Sequence, residues 1–61
     1  VKLTRLREKR LEQFWSLNDL AKLSGVSKAT IVQIEAGRVD PQPRTIRKLA
    51  EALGVKPEEL L

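Results

Sequence analysis

Between two short apolar-periodic segments lies Ser24-Gly25-Val26-Ser27, and this break constrains the chain more than any other stretch. The residues before it, roughly 17–23, carry Leu20, Ala21 and Leu23 on one side and predict a helix. Those after it, roughly 28–36, carry Ile31 and Ile34 on one side and predict another. Gly25 suits the position just past a helix end, where positive φ is needed. Ser27 can cap the following helix by accepting from the amide of Ala29 or Thr30. Two short helices therefore meet across a tight turn. Ala21 is small enough for their close approach, and Val26, Ile31 and Ile34 point inward.

The rest of the chain extends an all-α pattern of five helices. Helix 1 is expected over roughly 2–13, from Leu3, Leu6 and Arg10 at helical spacing, with Leu11 and Phe14 continuing the apolar side. Ser16, with Asp19 three residues on, reads as a capping box for helix 2. Trp15, just ahead of that cap, is expected to staple the helix on its Leu20 side. Gly37 ends helix 3. Helix 4, roughly 44–53, follows the loop Asp40-Pro41-Gln42-Pro43, with Pro43 suited to a first helical position. Ile46, Leu49, Ala50 and Leu53 form its apolar side, and Gly54 closes it. Residues 57–61 start a fifth helix that the end of the chain would cut short. Its Glu58 and Glu59 suit the positive end of a helix dipole. No segment alternates with period two over a useful length, so no sheet is expected.

Sixty-one residues make one domain, 1–61. A domain of this size buries only about 60% of the surface its unfolded chain exposes, so the core is small. The chain has no cysteine and no histidine, which leaves no ordinary ligand set for structural zinc. Stability must come from packing. No apolar run approaches the roughly 20 residues of a membrane span, and no signal-peptide pattern is present. The lack of cysteine fits a reducing, cytoplasmic setting. The chain begins at Val1 and not Met, so it reads as a fragment or a processed chain.

Lys and Arg number 12 against 8 Asp and Glu, a net charge of +4. That excess favours a polyanionic partner. Five of the basic residues, Lys2, Arg5, Arg7, Lys9 and Arg10, fall in the first ten positions.

Two helices joined by a short glycine-containing turn form a helix-turn-helix. The outward face of the second helix is then the telling feature. It carries Lys28, Ala29, Val32 and Gln33, where a solvated helix would carry several Lys and Glu. Such a face suits a DNA major groove. Gln can bond bidentately to adenine, Lys can reach guanine O6 and N7, and small apolar groups can meet a thymine methyl.

The segments SLNDLAKLSGVSKATIVQIEAGR and DPQPRTIRKLAEALGVKPEELL carry a broader resemblance. Together they resemble the Cro/phage-repressor-like, or xenobiotic-response-element, helix-turn-helix family, over about residues 3–61. The resemblance implies a compact five-helix, lambda-repressor-like domain that binds operator DNA, commonly as a dimer, with helix 3 in the major groove. It implies base contacts from Lys28, Ala29, Val32 and Gln33. It implies phosphate contacts from Ser27, Thr30, Arg38 and Arg44. Arg10 and Glu35 match a pair that forms a largely buried ion pair. The chain also departs from the family. Leu17 stands where a phosphate-binding Gln is usual, Phe14 where Gly is often found, Trp15 where a Leu precedes the cap, and Lys56 where Ser or Thr caps helix 5.

The expected function is sequence-specific binding of double-stranded DNA by a transcriptional regulator of repressor type, an antitoxin that represses its own promoter being a variant. The alternative is a protein-interaction module on the same fold, motivated by an apolar patch around Phe14, Trp15 and Leu17. Catalysis has little to stand on. There is no histidine or cysteine, no phosphate-cradling glycine loop and no metal-spaced carboxylate cluster, so no cofactor and no small-molecule substrate is expected.

Overall fold

Helix α2 (Leu17–Ser24) begins where two side chains close on each other. Ser16 Oγ accepts from the Asp19 amide at 3.1 Å, and the Asp19 carboxylate accepts from the Ser16 amide at 2.8 Å. The short Asp thus completes the capping box and satisfies two orphan donors of the first turn. At the other end Gly25 takes φ 76°, and its amide donates to Ala21 O at 3.0 Å. A residue with a Cβ pays for that left-handed conformation, and glycine does not. The Ser24 hydroxyl donates to Leu20 O at 2.6 Å and accepts from the Val26 amide at 3.2 Å, so one side chain ties the helix end to the turn.

The computed structural model describes residues 2–61; Val1 lies outside them. Within them the order is α1 (Leu6–Glu12), α2, α3 (Lys28–Glu35), α4 (Pro43–Leu53) and a final 3-10 turn (Pro57–Leu60). Among the described residues there is no strand. Ser27 caps α3 by accepting from the Thr30 amide at 3.2 Å. Pro43 occupies the first turn of α4, where its missing N–H costs nothing.

One small core holds these pieces. Leu3, Leu6, Leu20, Val26, Ile31, Ile34, Leu49, Ala50, Leu53 and Leu60 are buried, with Trp15, Leu17, Ala21 and Ile46 packed against them. The two chain ends meet: the Arg5 amide donates to Leu60 O at 3.0 Å.

Several expectations are corrected. Helix 1 starts at Leu6 and not at residue 2. The Arg5 amide is engaged by Leu60, and Arg5 sits at φ −105°, ψ 7°, outside helical values. Leu3 is buried nonetheless, from an irregular segment. The fifth helix is a single 3-10 turn, opened by the Glu59 carboxylate accepting from the Lys56 amide at 2.7 Å. Leu11 and Leu23 are 49% and 58% exposed, so neither belongs to the inner face assigned to it. In α2 that face runs through Leu17, Leu20, Ala21 and Ser24. At 3.6 residues per turn Leu23 falls about 100° from its centre.

Phe14 departs furthest. It does not continue the apolar side of α1: it is 94% exposed, at φ 59°. The Phe14 amide donates to Leu11 O at 2.9 Å and the Trp15 amide to Arg10 O at 3.3 Å. These two bonds form a Schellman closure with phenylalanine where glycine is usual.

Candidate nucleic-acid interface

The third helix is set by its inward side. Ile31 and Ile34 are 0% and 2% exposed, and they anchor α3 against the core. That orientation puts Lys28, Ala29 and Val32 in solvent and leaves Gln33 half-buried at the margin of the same face. Of these four, Lys28 alone is charged, so the backbone can approach a partner surface closely.

At the start of the helix the Ser27 hydroxyl has two tasks. It accepts from the Thr30 amide and donates to Thr30 Oγ1 at 2.7 Å. Its single proton is therefore used, and the hydroxyl proton available to a partner belongs to Thr30. Past the helix, Arg38 is exposed, with its amide bonded to Gln33 O at 3.0 Å. Arg44 is exposed in the first turn of α4, where a cation beside free helix amides suits an anion.

Arg10 fixes the placement of α3 from behind. Its Nε donates to Glu35 Oε2 at 2.8 Å and a terminal nitrogen donates to Glu35 Oε1 at 3.1 Å. The other terminal nitrogen donates to Trp15 O at 2.8 Å. The two side chains are 9% and 10% exposed. The hydrogen bond to Glu35 raises the Arg10 pKa, burial opposing it. One guanidinium thus ties α1, the α1–α2 turn and α3 together.

Four of the five basic residues of the N-terminal run are engaged within the domain, and Arg7 is exposed. Arg10 points inward. Arg5 pairs with Glu8 at 2.8 Å, a hydrogen bond that raises the arginine pKa and lowers that of Glu8. Lys9 lies 3.9 Å from Glu12. The Lys2 ammonium donates to Gly37 O, a contact that no local spacing in the sequence announces. The apolar patch expected around Phe14 and Leu17 is also divided, because Leu17 packs on the core while Phe14 faces solvent. Trp15 is half-buried against the same core, as a staple residue would be. Among the described residues no helix is long and apolar enough to cross a membrane.

A capped second helix, a glycine turn and a third helix with a sparsely charged outer face together make a helix-turn-helix. The profile of that family, described as helix-turn-helix, matches residues 6–60. The chain belongs to the Cro/C1-type helix-turn-helix family. It is 51% identical over 57 residues to the HTH-type transcriptional repressor RghR of Bacillus subtilis, covering 92% of this chain and 42% of that protein. It is 37% identical over 57 residues to an uncharacterized HTH-type transcriptional regulator of Archaeoglobus fulgidus, covering 93% of this chain and 81% of the other. The crystal structure of the restriction-modification controller protein C.AhdI from Aeromonas hydrophila superimposes with a TM-score of 0.90 at 38% identity, over 95% of this chain and 88% of that one. The chain spans about two fifths of the length of its Bacillus relatives.

Proposed function

We propose that this domain is the DNA-reading part of a cytoplasmic transcriptional regulator of repressor type, a binding protein and not an enzyme. The observation that carries the reading is the outer face of α3. Lys28, Ala29 and Val32 are exposed on it with Gln33 at its margin, it carries one charge, and two buried isoleucines anchor it from behind. Lys28, Ala29, Val32 and Gln33 meet base edges in the major groove. The Thr30 hydroxyl, Arg38 and Arg44 meet phosphates and fix the register, with Ser27 contributing through its cap on α3. Acting as a homodimer, the protein spaces its two half-sites about 34–36 Å apart, one helical turn.

The test is selection from a random duplex library at low salt, where a monomer's weaker binding survives. Enrichment of one motif is the expected result, and an inverted repeat adds the dimer geometry. Binding without enrichment sinks base readout and leaves a basic domain held by phosphates alone.

A further inference from the structure

Resting on the DNA reading above, we propose that Lys2 is a positioning residue for Arg38, acting through the peptide that joins Gly37 to Arg38. That peptide is held at both ends. Its carbonyl, Gly37 O, accepts from the Lys2 ammonium. Its N–H, on Arg38, donates to Gln33 O at 3.0 Å. Because the peptide is planar, holding its carbonyl and its N–H fixes the plane and the point from which the Arg38 side chain departs.

The need for such a hold is visible in the backbone. Gly37 sits at φ 73° at the exit of α3, and a glycine has the least restricted backbone of any residue. Its amide donates to Ile34 O at 3.0 Å, so the helix end is closed, but that bond does not orient the next carbonyl. Lys2 adds a second restraint on that peptide, beside the bond of the Arg38 amide to Gln33 O, from 35 residues away. It can do so because its own segment is anchored. Leu3 is 2% exposed, the Leu6 amide donates to Leu3 O at 3.3 Å, and the Arg5 amide donates to Leu60 O at 3.0 Å. A cation at the C-terminal end of α3 also suits the dipole of that helix.

Gln33 joins the two readout modes. Its side chain lies at the base-facing margin, and its carbonyl holds the Arg38 amide. The N-terminal segment therefore belongs to the binding apparatus although Lys2 need not touch DNA.

The experiment is a double-mutant cycle on the most enriched duplex, with Lys2→Met, Arg38→Ala and the pair together. If Lys2 acts through Arg38, Lys2→Met weakens binding by about three- to tenfold alone but by less than about twofold when Arg38 is already Ala. Lys2→Arg, which can still donate to the carbonyl, keeps wild-type affinity. Equal losses in both backgrounds overturn the proposal, because Lys2 then acts by its own charge on phosphate. A loss for Arg38→Ala with none for Lys2→Met overturns it too, while leaving the DNA reading intact. Failure of the wild-type chain to bind any duplex overturns that reading, and the proposal with it.

Discussion

Arg10 and Glu35 meet at two points, 2.8 and 3.1 Å, with little of either side chain in water. A pair buried this way adds little net stability against an apolar pair of the same shape, but removing one partner strands the other. Its value here is geometric, since the same guanidinium also holds Trp15 O.

Glu35→Leu should therefore destabilise the domain by about 3–5 kcal/mol, a loss comparable to the whole stability of so small a core. Arg10→Met with Glu35→Leu should cost less than either change alone. Chemical denaturation of the three variants checks this. Additive losses would mean that the two groups do not act as a pair.

Phe14 occupies the left-handed region with its ring in solvent, so its side chain gains almost no burial in return for the strain. That conformation costs a residue with a Cβ about 1–2 kcal/mol. Phe14→Gly should raise the thermal midpoint by about 4–8 °C, the shift that 1 kcal/mol gives in a domain of this size. A lowered midpoint would show that the ring makes a contact worth more than the strain.

Asp19 has its pKa lowered by the Ser16 amide first and the Ser16 hydroxyl second. A carboxylate whose folded pKa is depressed stabilises the fold above its unfolded pKa, and that contribution is lost as pH falls through the folded value. The loss should begin below about pH 4. Thermal melts from neutral to acid pH should show a falling midpoint there, and Asp19→Asn should flatten that limb. An unchanged limb in the variant would place the acid sensitivity elsewhere.

Local chemistry was the legible part of this fold. The Ser16–Asp19 box, the turn at Gly25 and the Ser27 cap are each written within four residues, and each forms as read. Periodicity located α2, but it counted Leu23 with the inner face because an apolar residue three positions on fits the helical template. The absolute direction of the face is set by the packing of Leu17, Leu20 and Ala21, which no short window contains. Helix 1 failed for a related reason: Leu3 has helical spacing and a buried side chain, yet its neighbour Arg5 bonds to Leu60 at the far end of the chain. The candidate site divides the same way. The α3 face follows from Ile31 and Ile34, while the Lys2–Gly37 contact depends on the tertiary meeting of segments 35 residues apart.

Whether α3 reads bases is decided by Gln33→Ala. Its affinity would be measured on the selected duplex and on every single-base variant of it, beside Arg44→Ala. Gln33→Ala should lose about 1–3 kcal/mol on the selected duplex and relax the preference at one base pair. Arg44→Ala should weaken binding to every duplex and flatten the salt dependence by about one unit. A uniform loss across all sequences for Gln33→Ala would contradict base readout by this helix.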